Sequence, residues 1–182
     1  RELSQLGIKI LSTGGTAEML RNSGVPVTEV SEHTGFPEIL NGRVKTLHPK
    51  VHGGILADRR KCSHIEEMKQ NDISPIEIVV VNLYPFAETI KKPNCSLEEA
   101  IENIDIGGPA IIRAAAKNWE NICIITETKD YKTFVKKFKE SNGKIDRSSR
   151  FSFAKKAFAH TAAYDGMISN HLSSMALDSH QR

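Results

Sequence analysis

The chain has 182 residues, of which 39% are hydrophobic and 26% are charged, and its formal net charge is +3. This length suits a single domain, because one hydrophobic core commonly serves about 100–200 residues. So small an excess of basic residues does not indicate nucleic-acid binding, and no apolar run is long enough to span a membrane. The three cysteines, Cys62, Cys95 and Cys123, form no CxxC pair. We therefore expect reduced thiols.

The N-terminal part alternates between short helices and short strands. Residues 1–7 are typical of the end of a helix that closes on a glycine. The segments that follow are predicted as a strand over Ile8–Leu11, a helix over Thr16–Asn22 and a strand over Val27–Val30. Residues 31–57 are rich in Gly, Pro, His and Lys. This composition predicts a long irregular stretch.

The remaining part continues the alternation. Ile76–Asn82 gives the strongest strand signal, and its β-branched run predicts burial on both faces. Ser96 is a good N-cap for the next helix. The other predicted elements are helices over His64–Asn71, Ala110–Lys117 with Pro109 at its start, Tyr131–Glu140 and Arg147–His171, and a strand over Ile122–Thr126. Strands separated by helices predict an α/β fold: a parallel sheet covered on both faces, followed by a C-terminal helical region.

The first candidate site is the segment STGGT at residues 12–16, between a predicted strand and a predicted helix. Glycines allow a ligand to approach the backbone closely, and free amides at a helix start suit a phosphate. The alternative is a tight turn with Thr16 as the helix N-cap. The pattern alone leaves the two interpretations open.

The second candidate is the basic segment GRVKTLHPKVHGG at residues 42–54. Long loops without secondary structure are often functional, and Arg43 and Lys45 could contact a phosphate or an oxyanion. A solvated basic loop is the alternative. His48 and His52 are four residues apart, but Pro49 lies between them and no carboxylate or cysteine adjoins them, so we expect no metal.

Two further candidate segments follow a strand or precede a helix. Asn82 and Tyr84 come directly after the best strand, where ligands bind in open parallel sheets. They could equally form a turn that covers the sheet edge. Asp105 precedes two glycines at a helix start, where amides could hold an oxyanion and the carboxylate could take up a proton. Asp105 could instead cap the helix, with Lys117 interacting with its dipole.

Five strings together resemble one family. STGGT, GRVKTLHPKVHGGIL, VVVNLYPF, IDIGGPAIIRAAAKN and KAFAHTAAYD occur in this order. They are similar to the inosinate (IMP) cyclohydrolase domain of the bifunctional purine-biosynthesis enzymes, from Arg1 to about His171. The resemblance implies a methylglyoxal-synthase-like α/β fold. It also implies closure of the purine ring of 5-formamido-imidazole-4-carboxamide ribotide to inosinate and water.

The resemblance also implies a set of site residues. Lys117 would transfer protons, with Lys45, Tyr84 and Asp105 assisting. The residues that would bind the nucleotide are Ser12, Thr13, Gly14, Gly15, Thr16, Arg43, Val44, Lys45, Thr46, Val81, Asn82, Asp105, Ile106, Gly107 and Gly108. A straight helix up to Lys117 would hold it more than about 10 Å from the Gly107 amide. Its side chain would then have to fold back, or the helix would have to end early.

The resemblance implies a single cyclohydrolase domain over residues 1–182 that lacks the family's first strand and its formyltransferase domain. It implies no metal and no cofactor, a cytoplasmic location, a homodimer, and a small nucleotide as ligand rather than a nucleic acid or a membrane. A regulatory nucleotide-binding module of the same fold, as in carbamoyl phosphate synthetase, is the main alternative. It would need the first loop but not the set of Lys45, Tyr84, Asp105 and Lys117. Methylglyoxal synthase itself and a purely structural domain explain fewer of the motifs.

Overall fold

The computed structural model describes residues 1–175, which form short parallel strands and ten α-helices. The four strands are β1 (Leu11–Ser12), β2 (Thr28–Glu29), β3 (Ile78–Val80) and β4 (Cys123–Ile125). The helices are α1 (Glu2–Gln5), α2 (Gly14–Asn22), α3 (Val30–Thr34), α4 (Pro49–Leu56), α5 (Cys62–Gln70), α6 (Phe86–Thr89), α7 (Leu97–Glu102), α8 (Gly107–Lys117), α9 (Tyr131–Glu140) and α10 (Arg147–Ser173).

The strands form two parallel pairs. β1 pairs with β2, with Leu11 opposite Thr28, and β3 pairs with β4, with Val79 opposite Ile124. No ladder joins the two pairs within residues 1–175. The predicted parallel α/β fold with helices on both faces is confirmed, but the strands are arranged as two pairs and not as one continuous sheet.

One main core holds both pairs together. β4 is buried along its whole length, and α8 and α10 pack on it and on each other. Ile8 and Leu11 near β1 pack against the same core as Ile78 in β3. A smaller second cluster consists of Phe86, Ala100 and Tyr164 with their neighbours. The second cluster joins α6, α7 and α10 beside the ends of β3 and β4.

The predicted elements near the N-terminus are present, with shifted bounds. α1 ends as expected at a glycine, since Gly7 has φ +79° and its amide donates to the carbonyl of Ser4. β1 begins at Leu11, where the predicted strand ends. α2 begins at Gly14, two residues before the prediction, and its N-cap is Thr13 rather than Thr16.

The stretch over residues 31–57 is not irregular throughout, so this prediction is wrong for two segments. The predicted strand at Val30 gives way to α3, which ends at Gly35 with φ +71°. Pro49 begins α4 instead of interrupting a helix, because proline lacks only an amide that the first helical turn leaves free. The His48 Nδ1 atom caps α4 by accepting from the amide of Lys50 at 3.1 Å.

The prediction that the strand over Ile76–Asn82 is buried on both faces is wrong. β3 spans only Ile78–Val80, and 45% of Val80 is exposed. β3 pairs only with β4 among the described strands, so its other edge has no strand to cover it.

The second half otherwise follows the prediction closely. α9 has the predicted bounds, and β4 lies within the predicted strand. The Ser96 hydroxyl caps α7 by accepting from the amide of Glu99 at 3.0 Å. α8 begins two residues before Pro109, so both glycines of the fourth candidate segment belong to its first turn. α10 extends two residues beyond His171.

The composition predicts reduced cysteines and no membrane-spanning segment. Cys62, Cys95 and Cys123 are all free, and burial raises the pKa of the Cys123 thiol to about 12. Within residues 1–175, no helix combines the length and the apolar character that a membrane span requires.

Candidate active site

The STGGT segment forms the start of α2. The first helical hydrogen bond is donated by Ala17 to the Thr13 carbonyl. The amides of Gly14, Gly15 and Thr16 precede it, and all three residues are exposed. Gly14 has φ +50°, a conformation that residues with a side chain rarely adopt. The start of α2 therefore presents free amides and the positive end of a helix dipole, a combination that suits an anion.

Lys45 lies beside the start of α2. A methyl group on Gly14 would lie 3.4 Å from the Lys45 Nζ atom. This Nζ atom also contacts Glu38 at 3.5 Å, and 25% of the Lys45 side chain is exposed. The turn just before Lys45 is closed by a bridge between Ile39 and Val44. The amine of Lys45 is thus held next to the start of α2.

Arg43 has a different environment. Its guanidinium pairs with the carboxylate of Glu102 at the end of α7. Hydrogen bonding to Glu102 raises the pKa of Arg43, and the same contact lowers the pKa of Glu102. Arg43 therefore joins the basic loop to α7, although its guanidinium was predicted to meet the ligand.

The fourth candidate segment adjoins the basic loop. A methyl group on Gly107 would lie 3.0 Å from the Thr46 hydroxyl. Asp105 Oδ1 accepts from the amide of Gly108 at 2.8 Å. Asp105 therefore caps the first turn of α8, as the alternative interpretation proposed, and its carboxylate lies at the start of this helix.

The loop after β3 closes the other side of this region. A methyl group on Gly108 would lie 2.7 Å from Leu83 Cδ2, so this loop abuts the start of α8. The Asn82 side chain donates to the Tyr131 hydroxyl at 2.9 Å. Asn82, Tyr84 and His160 line a cavity of about 250 Å³. Three close approaches thus link the four candidate segments: Gly14 to Lys45, Gly107 to Thr46, and Gly108 to Leu83.

Lys117 lies elsewhere. It is the last residue of α8, which is one continuous helix from Gly107. At 1.5 Å per residue its backbone is about 15 Å from that of Gly107. Lys117 lines a separate open groove of about 670 Å³ with His52 and Arg113. The structure therefore brings Lys45 and Asp105 to one region but leaves Lys117 of the same chain outside it.

Tyr164 is a residue of this region that the motifs did not single out. Its hydroxyl accepts from the amide of Asp105 at 2.8 Å, and burial raises the pKa of Tyr164. His160, one turn earlier on α10, has a buried Nε2 atom without a hydrogen-bond partner among the described residues. Both residues belong to the KAFAHTAAYD string, and their spacing of four places them on one face of α10. This spacing was a usable signal.

No group of three or more metal-binding side chains occurs in the part of the chain that the structure describes. His48 caps α4 and His52 lines the groove near Lys117, so the two histidines have separate environments.

The sequence of this chain matches two protein-family models. The MGS-like domain matches residues 1–110, more than half of the chain. The chain belongs to the MGS-like domain family. Residues 115–182 match a second family, described as AICARFT/IMPCHase bienzyme. Together the two matches confirm the family that the five strings indicated.

Proteins with similar sequences carry names that agree with this family assignment. The chain is 56% identical over 176 residues to "Bifunctional purine biosynthesis protein PurH" of Neisseria meningitidis serogroup C, covering 97% of the chain and 34% of that protein. It is 54% identical over 178 residues to the protein of the same name from Acidithiobacillus ferrooxidans, covering 98% and 34%. The chain thus spans about a third of the length of these curated relatives.

A solved structure shows the same fold. The crystal structure of ForH superimposes with a TM-score of 0.84 at 35% identity, covering 92% of this chain and 86% of ForH. The match covers nearly all of both chains.

Proposed function

We propose that this chain is an IMP cyclohydrolase domain that closes the second ring of the purine. The substrate is 5-formamido-imidazole-4-carboxamide ribotide, and the products are inosinate and water. One observation carries the proposal: free amides at the start of α2, the amine of Lys45 and the capped turn at 105–108 converge on one region. The names of the relatives and of the second matched family support the same activity.

The start of α2 would hold the phosphate of the ribotide. Helix amides and the hydroxyls of Ser12, Thr13 and Thr16 offer donors to phosphate oxygens, and Lys45 adds a positive charge nearby. The second loop would continue along the nucleotide through Arg43, Val44 and Thr46. Since Arg43 is paired with Glu102, we assign it to holding the loop as much as to contacting the ligand.

The start of α8 and the loop after β3 would hold the base. Val81, Asn82, Ile106, Gly107 and Gly108 surround the end of the region opposite α2 in the proposed arrangement. The reacting carboxamide nitrogen and formyl carbon belong to one molecule, so fixing the reactive rotamer supplies much of the rate. Amides at the start of α8 would stabilise the developing oxyanion.

Proton transfer completes the reaction. The carboxamide nitrogen bonds to the formyl carbon, and the carbon–oxygen bond of the former formyl group breaks. The formyl oxygen takes up one proton from each of the two nitrogens and leaves as water. We assign the transfer of these protons to Lys117, with Lys45, Tyr84 and Asp105 assisting.

The resemblance to the cyclohydrolase family also supports proposals on domain extent, oligomeric state, location and cofactors. We propose one domain over residues 1–182, a homodimer, a cytoplasmic location, and a reaction that needs neither metal nor cofactor. The small-molecule ligand agrees with the open amides at α2.

The direct test is absorbance-monitored conversion of the formylated ribotide to inosinate by the purified protein. We expect turnover without added metal. Calorimetry should also show that inosinate binds and that inosine, which lacks the phosphate, binds much more weakly. A regulatory module would bind inosinate without forming it. Equal affinity for inosinate and inosine would contradict the phosphate assignment.

A further inference from the structure

The side chain of Asn82 is held by a residue from a distant part of the chain. Asn82 follows β3, and Tyr131 begins α9, which comes after β4 and a short 3-10 turn. β3 and β4 are neighbours, and the amide of Val81 continues their ladder by donating to the carbonyl of Ile125 at 3.0 Å. The Asn82 Nδ2 atom donates to the Tyr131 hydroxyl at 2.9 Å, across 49 residues. A side-chain hydrogen bond thus joins the carboxyl ends of two parallel strands, where ligands bind in such sheets.

The position of Tyr131 is itself fixed by contacts of its ring and of the residue before it. The Tyr131 side chain is half-buried and packs against the main core. The two carboxylate oxygens of Asp130 both accept from the Lys156 Nζ atom at 2.8 Å, and this pair joins the start of α9 to α10. Only 15% of the Asp130 side chain is exposed. The Tyr131 hydroxyl is therefore a pre-organised partner for Asn82.

The hydrogen bond to Tyr131 determines which end of the Asn82 amide is available to a ligand. An asparagine amide has a donor nitrogen and an acceptor oxygen, and a half-turn of the amide group exchanges their places. Because Nδ2 faces Tyr131, Oδ1 lies on the opposite side of the amide. Asn82 is exposed and lines the same cavity as Tyr84. The end of β3 therefore presents a hydrogen-bond acceptor in a defined orientation.

We propose that Tyr131 is a positioning residue that orients the Asn82 amide, so that Oδ1 accepts a hydrogen bond from the nitrogen that closes the purine ring. The inference rests on the proposed function, which assigns Asn82 to the base. In the substrate this nitrogen is the NH2 group of the carboxamide. An acceptor at this position favours the carboxamide rotamer that presents NH2 and disfavours the rotamer that presents the carbonyl oxygen. Tyr131 acts through Asn82 and contacts no reacting atom.

The same orientation selects among nucleotides. In inosinate the nitrogen in question carries a hydrogen, whereas in adenylate it carries a lone pair. An acceptor that faces a lone pair leaves both groups unpaired, and such a mismatch rejects a ligand more strongly than a missing apolar contact does. An Asn82 amide turned the other way would present Nδ2 and would suit adenylate instead. Tyr131 thus supplies part of the preference for inosinate over adenylate.

Tyr131→Phe tests this role, because it removes the hydroxyl and keeps the ring. The Asn82 amide can then turn over, so we expect turnover to fall about tenfold. The preference for inosinate over adenylate, measured by calorimetry, should fall about fivefold, the scale of one net hydrogen bond. Thr133→Val is the matched control, because it removes an exposed hydroxyl from the same helix, and it should change neither quantity. An unchanged nucleotide preference in Tyr131→Phe would overturn the proposal.

A double variant separates an effect through Asn82 from a general effect on the structure. Asn82 is exposed, so Asn82→Ala should fold. Adding Tyr131→Phe to Asn82→Ala should change turnover and nucleotide preference less than about twofold, because no amide is left to orient. Losses that multiply in the double variant would overturn the proposal, since Tyr131 would then act independently of Asn82.

The binding comparison also separates this proposal from the proposed function. Wild-type protein that prefers inosinate to adenylate but does not form inosinate would contradict the proposed function alone. The loss of that preference in Tyr131→Phe would still support the orientation of Asn82. Wild-type protein that binds adenylate as tightly as inosinate would overturn the orientation of Asn82, even if it forms inosinate.

Discussion

The hydroxyl of Tyr164 accepts a hydrogen bond from the backbone amide of Asp105 at 2.8 Å, across 59 residues of sequence. Only 4% of Tyr164 is exposed, and its ring packs edge-to-face on Phe86. Asp105 in turn accepts from the amide of Gly108. α10 thus fixes the turn that precedes α8, so the position of the Asp105 carboxylate depends on a residue in the second matched family segment.

We expect Tyr164→Phe to lower turnover about tenfold, because small displacements of a catalytic group reduce the rate steeply. The free energy of unfolding should fall by only about 1 kcal/mol, the usual net contribution of one hydrogen bond. Steady-state kinetics and chemical denaturation measure the two effects. Thr161→Val is the control, because it removes a buried hydroxyl from the same helix without touching the turn. Equal losses of turnover in both variants would show a general effect on α10.

Gly14 and Gly24 lie at the two ends of α2, and both have positive φ values. Either substitution by alanine should reduce the free energy of unfolding by about 1 kcal/mol, because a side chain disfavours this conformation. Only Gly14→Ala should weaken inosinate binding, since its methyl group would lie 3.4 Å from Lys45 Nζ. Calorimetric titration of both variants compares them. A similar affinity for inosinate in the two variants would contradict phosphate binding at this helix start.

Lys117 and Thr16 should affect different kinetic constants. Lys117→Ala should lose turnover by about a hundredfold or more, the scale of general acid–base groups, with inosinate affinity nearly kept. Thr16→Ala should raise KM and leave saturated turnover close to normal. Lys136→Ala, an exposed lysine on α9, is the control for a loss of charge. If Lys117→Ala binds more weakly but keeps full turnover, proton transfer belongs to Lys45 or Asp105 instead.

Metal removal should leave the rate unchanged. The proposed chemistry uses amides, lysines and a carboxylate, none of which needs a metal to act. Turnover measured before and after dialysis against a chelator checks this. A loss of activity that zinc or magnesium restores would show that the prediction is wrong.

Asp146 caps α10 and links stability to pH. Hydrogen bonds from Ser148 and Ser149 hold the pKa of Asp146 below its ordinary value of 3.8. A lowered pKa in the folded state stabilises the protein above the unfolded-state value, and this contribution is lost as the pH falls. We expect Asp146→Asn to be less stable than the wild type at neutral pH, and the difference to shrink below pH 3.8. Urea titrations at several pH values measure it, and a difference independent of pH would exclude this linkage.

Local signals in the sequence determined much of the fold. The bounds of α9 follow from its amphipathic period, and Ser96 and Asp146 cap helices through local side-chain contacts. Gly7 ends α1 by its backbone freedom alone. The expectation that Pro49 interrupts a helix is wrong, because a proline at the first helical position begins a helix, as it does in α4. The candidate segments could be chosen from the sequence, because each follows a strand or precedes a helix.

Only the tertiary structure decided which of these residues meet. Residues 11 and 28 pair, and 78 and 123 pair, but no local signal shows that the two pairs share no ladder within residues 1–175. The contact between Tyr164 and Asp105 depends on how α10 packs, which is set by the core as a whole. The separation of Lys117 from Lys45 depends on α4 and α8 running side by side. Motif spacing specifies position along the chain, whereas distances between motifs arise from packing of elements far apart in sequence.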